Sequence, residues 1–217
     1  MKQTLFIIFG APGSGKGYTT EKLKAEIFAQ QLAENDDIAY ISTGDLLRNE
    51  VALKTPLGQE IANIISSGQL VSDDIVDTLV EKALKVEKKI IFLDGYPRTK
   101  AQLSAFTTKM ISENLSPVLI KVDTPTEIIL KRVSMRRVCK NCKSTHSSSL
   151  KQCPVCGGEL VIRNDDAVIE SRLLEYERNT KNLFNDLIKV ANNNWFNVDN
   201  SSCITETIQC IVKDVFK

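Results

Sequence analysis

The stretch GAPGSGKG (10–17) sets glycines at 10, 13 and 15 ahead of Lys16. This GxxxxGK spacing is the core of a phosphate-binding loop. Glycines let successive backbone N–H groups turn toward an anion, and a helix opening at the loop adds partial positive charge. Lys16 then reaches the outer phosphates as a point charge. The alternative is a plain turn. A complete motif has Ser or Thr after the lysine to ligate Mg²⁺, and here Gly17 follows, so the metal must be held differently. Asp94 is the candidate. It ends the apolar run 90–93, where a parallel sheet presents ligand-binding residues, and facing hydrated Mg²⁺ it would attract phosphate rather than repel it. Its alternative role is to cap the bend Asp94-Gly95-Tyr96-Pro97. A second constellation is Cys139-x2-Cys142-x10-Cys153-x2-Cys156. Four thiolates at this spacing make a closed tetrahedral shell, which predicts a structural zinc with no open position. Unliganded thiols or a redox pair are the competing readings.

The elements that must position these groups follow from hydrophobic patterning. Runs 5–9, 38–41, 90–93, 118–122 and 195–198 are nearly continuous in apolar residues, as parallel strands buried on both faces are. Helical stretches are expected at 16–33, 57–67, 73–85, 100–113, 125–137, 167–191 and 204–216. This alternation predicts an α/β fold, a parallel sheet with helices on both faces. Thr124, Pro125 and Glu127 have the pattern of an N-cap, a first helical residue and a capping box. Residues 138–162 lack helical periodicity and read as a small metal-knit insertion. Cys203 and Cys210 are expected on the last helix, in or near the core; seven residues of helix hold them ~10 Å apart, too far for a disulfide.

Composition bounds the rest. The 217 residues amount to about 1.4 typical domain lengths, enough for one α/β core with an insertion. A net charge of +1 argues against a duplex-DNA binder with a broadly basic surface. No apolar run approaches the ~20 residues of a membrane span, and 5–9 is too short for a signal peptide. The expected location is cytoplasmic.

GAPGSGKG (10–17), STGDLLR (42–48), GQLVSDD (68–74) and DGYPRT (94–99) stand in order along the chain. Together they closely resemble the adenylate kinase family, from Leu5 to about Asp199. The resemblance implies a P-loop NTPase-type five-stranded parallel sheet as core (1–41, 72–135 and 164–217). It adds an arm for nucleoside monophosphate at 42–71 and a zinc lid at 136–163. The implied activity is reversible transfer of the ATP γ-phosphoryl group to AMP, giving two ADP. The implied cofactors are Mg²⁺ with ATP and structural Zn²⁺, the implied partners are these nucleotides alone, and the implied state is a monomer.

Residue by residue, Gly13, Ser14, Gly15, Lys16 and Gly17 match the family's ATP phosphate loop. Thr43 and Arg48 match contacts to the AMP base and phosphate. Gln69, Leu70 and Val71 match backbone around the adenine, and Gly95, Tyr96, Pro97, Arg98 and Gln102 match further AMP contacts. Arg132 and Arg136, expected on one face of the helix entering the lid, match arginines that reach the ATP phosphates. Arg163 and Arg172 match two that close on the transferring phosphoryl group. Thr145 and His146 fall where lid residues flank the ATP adenine, and Ser202 falls near a backbone contact to it. His146 has two further readings, a solvated loop residue and a zinc ligand. Lys16 and these phosphate-facing arginines (98, 132, 136, 163 and 172) are the expected catalytic charges. Arginine usage supports the set: the chain has eight arginines against 20 lysines, and six of the eight occupy matched positions, where a planar fork serves phosphate best. Ordinary surface salt bridging is the alternative.

The chain also departs from the family. Tyr18 stands where Thr is usual, beside the ATP α-phosphate, and Thr19 is a candidate substitute. Ten residues separate the CxxC pairs, where about sixteen are usual. Residues 24–37 lengthen the first helix and its loop, and Arg172 arrives about two residues early. Competing functions are a UMP/CMP-type kinase, which Thr43 disfavours, a zinc-ribbon nucleic-acid-binding ATPase, and a non-catalytic nucleotide-binding protein.

Overall fold

The computed structural model describes residues 3–142, 144–163 and 166–217. In chain order the first half contains β1 (Thr4–Phe9), α1 (Lys16–Ala29), β2 (Ile38–Ser42), α2 (Thr43–Ala52), α3 (Pro56–Ser66), α4 (Asp73–Leu84), β3 (Ile90–Asp94) and α5 (Lys100–Ser112). There follow β4 (Val118–Asp123), α6 (Thr126–Ser134), β5 (Arg136–Cys139), β6 (Thr145–Ser147), β7 (Leu160–Val161), α7 (Ile169–Glu175), α8 (Phe184–Val190), β8 (Trp195–Asp199) and α9 (Thr205–Val215).

The five expected strands form one parallel sheet in the order β2-β3-β1-β4-β8. Their apolar continuity has a direct cause, because alternate residues enter two different cores. Leu5, Ile7, Phe9, Ile91, Leu93 and Leu119 pack with Leu47, Ile61, Val80, Phe106 and Leu187 from α2, α3, α4, α5 and α8. Phe6, Ile8, Ile90, Phe92 and Ile120 face the other way, against Leu23 and Ile27 of α1 and Ile208 and Val212 of α9. Phe6 and Phe92 stack across β1 and β3 with ring centroids 4.8 Å apart.

Several local expectations are corrected. The helix expected over 125–137 stops at Ser134, and Arg136 lies instead in β5, so it does not share a helix face with Arg132. Sheet pairing wins there: β5 takes β6 and β7 as antiparallel neighbours, so the segment without helical periodicity carries a three-stranded sheet. Thr124 is not the cap of α6. Its hydroxyl lies 2.8 Å from the Ser14 carbonyl, and Pro125 holds the cap position, its carbonyl accepting from Ile128 and Ile129. The stretch 167–191 is not one helix. A π-helical segment (Tyr176–Thr180) and a 3₁₀ turn (Lys181–Leu183) separate α7 from α8. Helix α2 is additional to the expected set. Helix α1 ends at Ala29, and the added residues after it form a loop and a 3₁₀ turn (Asn35–Asp37). Cys203 precedes α9, and both Cys203 and Cys210 are exposed rather than core: the buried stripe of α9 is Ile208, Ile211 and Val212, which turns position 210 outward.

Candidate active site

The loop after β1 wraps the start of α1. Gly15 is in the left-handed region (φ 93), and a Cβ there would sit 1.9 Å from Asn200 Nδ2, so both conformation and space demand glycine. Asn200 follows β8 and is buried; its Nδ2 donates to the Ser14 carbonyl at 2.8 Å and its backbone N–H to Asp123 at 2.9 Å. With Thr124 on the same carbonyl, the ends of β4 and β8 clamp the loop. Neither clamp residue was identified from sequence as part of the site. The one signal was position, since both follow strands whose carboxyl ends point toward the loop.

Lys16 Nζ donates to the carbonyls of Gly10 (3.1 Å) and Ala11 (2.9 Å) and lies 3.9 Å from Asp94 Oδ1. Burial pushes its ammonium down to about 8. Asp94 opposes that shift, while Arg98, Arg172 and Arg163 reinforce it. Asp94 is buried at the end of β3, and its Oδ2 accepts a 2.6 Å hydrogen bond from Tyr40 of β2. Burial, then the Asp94 charge, raises the Tyr40 phenol far above its ordinary value, so it remains a donor. Asp94 offers a hard carboxylate oxygen beside a phosphate loop, which fits Mg²⁺ held through water.

Beyond Lys16 opens a cleft. Thr43 and Arg48 line it from α2; Gln69, Leu70 and Val71 from the turn before α4; Gly95, Tyr96, Pro97, Arg98 and Gln102 from the segment after β3; and Arg172 from α7. These expected positions therefore converge on one space. A relay of hydrogen bonds orders its wall. Arg98 Nε donates to the Gly95 carbonyl (2.7 Å) and its Nη2 to Thr43 Oγ1 (3.0 Å), which itself donates to Gly95 (2.9 Å). Gly95 is left-handed (φ 80), and a Cβ there would strike Arg98 and Thr43 at 2.6 and 2.7 Å. Gln102 accepts from the Arg98 N–H (2.8 Å) and donates to Asp73 (2.7 Å). Arg48 pairs with Asp45 at 2.6 Å.

Other expected residues lie apart from that cleft lining. Arg132 approaches the loop, its Nη1 3.9 Å from where a Gly15 Cβ would be. Arg136 makes a two-pronged pair with buried Asp166, one bond at 2.9 Å. Arg163 follows β7. Ser202 is exposed in the turn after β8. Tyr18 is 54% exposed on the first turn of α1 with Lys22 over its ring, whereas Thr19 is fully buried and does not open to the cleft. Asp166 and Tyr40 also escaped sequence reasoning: one sits beside two assigned arginines, the other reads as an ordinary strand residue.

In the small sheet, the sulfurs of Cys139, Cys142, Cys153 and Cys156 all lie within 4.8 Å of one another. A tetrahedron with ~2.3 Å zinc–sulfur bonds has edges of ~3.8 Å, so the cluster fits a structural zinc. Burial alone would raise the Cys153 thiol, but hydrogen bonds from Ser144 and from the N–H groups of Cys156 and Val155 hold it down to about 5. Thr145 and His146 lie in β6 beside this cluster. His146 Nε2 is 2.7 Å from Ser144 Oγ and 3.3 Å from Cys153 Sγ, which makes it a neighbour of the thiolates rather than a freely solvated loop residue.

Comparison with known proteins points one way. A sequence model of the family described as "Adenylate kinase" matches residues 8–190. A protein named adenylate kinase from Mycoplasma mobile is 35% identical over 226 residues, covering 97% of each chain. Another from Borreliella burgdorferi is 37% identical, covering 97% of this chain and 98% of its own. A third, from Pyrococcus furiosus, is 37% identical over 182 residues, covering 80% of this chain and 79% of its own. No helix among the described residues is long and apolar enough to cross a membrane.

Proposed function

Because the chain belongs to the adenylate kinase family, we propose that it moves the γ-phosphoryl group of Mg·ATP reversibly to AMP, giving two ADP. The observation that carries this reading is convergence. Lys16 lines the same cleft as Thr43, Arg98 and Gln102, so donor and acceptor phosphates would meet at the lysine.

The acceptor is already an anionic phosphate, so no hydroxyl needs deprotonating and no general base is required. Catalysis reduces to positioning and charge neutralisation. Residues 42–71 form the AMP-binding arm, 136–163 the lid, and 1–41, 72–135 and 164–217 the core. Gly13, Ser14, Gly15, Lys16, Gly17 and Tyr18 cradle the ATP phosphates, with Thr145, His146 and Ser202 toward its base. Thr43, Arg48, Gln69, Leu70, Val71, Gly95, Tyr96, Pro97 and Gln102 hold AMP. Lys16, Arg98, Arg132, Arg136, Arg163 and Arg172 surround the in-line transfer. Arg136 exchanges Asp166 for phosphate as the lid closes and excludes water. Asp94 would hold the Mg²⁺ that accompanies ATP, which supplies charge neutralisation at the phosphates. The four cysteines would hold a zinc that pins the lid sheet and does no chemistry. The protein works as a cytoplasmic monomer, without nucleic acid or membrane.

The test is an acceptor panel: ADP formation from Mg·ATP with AMP, UMP, CMP, GMP or no acceptor. Rapid turnover with AMP, and almost none without acceptor, is expected. Preference for UMP or CMP would instead assign the chain pyrimidine specificity, and nucleotide binding without turnover would make it a non-catalytic binder.

A further inference from the structure

The phosphate loop has a gap in its chemistry. Where a complete motif supplies a hydroxyl after its lysine, this chain has Gly17. The structure brings a hydroxyl to the same neighbourhood from another element. A Cβ built on Gly17 would lie 3.8 Å from the phenolic oxygen of Tyr40, and that oxygen donates to Asp94 Oδ2 at 2.6 Å. We propose that Tyr40 is a positioning residue for Asp94, orienting the carboxylate that receives the hydrated Mg²⁺ of the nucleotide. This rests on the phosphotransfer reading, through the role given to Asp94.

Strand register explains why a tyrosine can do this. Tyr40 of β2 pairs with Phe92 of β3, and Asp94 lies two residues further along the same face. Such diagonal neighbours are about 7–8 Å apart, within reach of an aromatic side chain but not of a short polar one. Tyr40 lies on the edge strand β2 and stays 38% exposed while its hydroxyl reaches inward to Asp94. The competing partner for Asp94 is Lys16, whose ammonium is 3.9 Å from the other carboxylate oxygen. With Tyr40 holding Oδ2, one oxygen is fixed and the other stays directed at the loop. Without the phenol the carboxylate is free to rotate onto Lys16, which costs Lys16 its aim at the phosphates and Asp94 its aim at the hydrated Mg²⁺. Partners that orient a metal-binding side chain matter for affinity in general, by about 10–100-fold when removed.

The experiment uses the full chain, a non-hydrolysable ATP analogue and Mn²⁺ as a paramagnetic stand-in for Mg²⁺. Electron paramagnetic resonance titration gives the Mn²⁺ dissociation constant in the ternary complex. Calorimetry without metal gives the affinity for the analogue alone, and thermal denaturation reports folding. Tyr40→Phe keeps the ring and removes only the hydroxyl. It is expected to weaken Mn²⁺ about tenfold, with metal-free analogue affinity changed by less than about twofold and folding preserved. In an Asp94→Asn background the same change is expected to add almost nothing, because the two residues act through one hydrogen bond. The role is overturned if Tyr40→Phe shifts Mn²⁺ affinity less than about twofold, if it weakens metal-free binding equally, or if its effect survives in the Asp94→Asn background. Should the wild-type protein hold Mn²⁺ no better than the free analogue does, the metal role of Asp94 falls and Tyr40's falls with it. Should wild type hold it and Tyr40→Phe match, only the role of Tyr40 falls.

Discussion

Replacing Lys16 by methionine should abolish turnover and yet stabilise the fold at neutral pH. The Lys16 side chain is only 14% exposed, and burial holds its ammonium at about 8 rather than 10.5. A lysine titrating that far down costs the native state about 3 kcal/mol while it stays charged. The sign follows from proton binding. Below pH 8 the lysine is charged in both folded and unfolded chains, so the burial cost is present in full. Between 8 and 10.5 the unfolded chain holds a proton that the folded chain has released, so wild-type stability rises with pH on this account. Methionine removes the cost and also the bonds to the Gly10 and Ala11 carbonyls, worth about 1 kcal/mol each. The net gain at pH 7 is about 1–2 kcal/mol, or about 2–8 °C in Tm for a chain of this size. Scanning calorimetry of both proteins from pH 7 to 10.5 is the assay. The reasoning predicts a higher Tm for Lys16→Met at pH 7 and a gap that narrows as the pH passes 8. A lower Tm at pH 7, or a gap that ignores pH, would refute it.

Further outcomes follow from the clamp and the thiol cluster. Asn200→Ala should lower stability by about 1 kcal/mol, the low end for a lost buried hydrogen bond because Thr124 still reaches the Ser14 carbonyl. It should also raise the KM for ATP more than that for AMP, and equal effects on the two would remove Asn200 from the loop. Protein purified without chelator should contain one zinc per chain. The two cysteines outside the cluster, Cys203 and Cys210, are exposed and should then react rapidly with a thiol reagent, and the four cluster thiols only after the metal is removed. Six fast thiols in untreated protein would contradict a zinc-filled cluster.

What the sequence disclosed, and what it hid, divides along a physical line. The central strands β1, β3 and β4 were legible because both of their faces are buried, which leaves a continuous apolar run, and the partly exposed edge strands β2 and β8 still carry shorter runs of the same kind. The phosphate loop and the cysteine cluster were legible because their chemistry is local in sequence. Arg136 was misplaced because helical spacing from Arg132 says nothing about β5, whose pairing with β6 ends the helix. The break between α7 and α8 was invisible because it serves a distant contact: Thr180 donates to the Arg98 carbonyl, 82 residues away. Asn200 lies 186 residues from Ser14, and Tyr40 lies 54 from Asp94. No spacing rule along the chain reaches that far. Cys203 and Cys210 were assigned inward on residue type alone, but Cys203 lies before α9 and the buried stripe of α9 turns Cys210 outward.

The claim that this cleft moves a phosphoryl group between nucleotides, rather than to water, is tested most directly by ³¹P NMR of the protein with Mg·ATP and AMP. The prediction is that ATP and AMP decline together while ADP grows at two molecules for each ATP consumed, with no orthophosphate. Orthophosphate rising while AMP persists would contradict it.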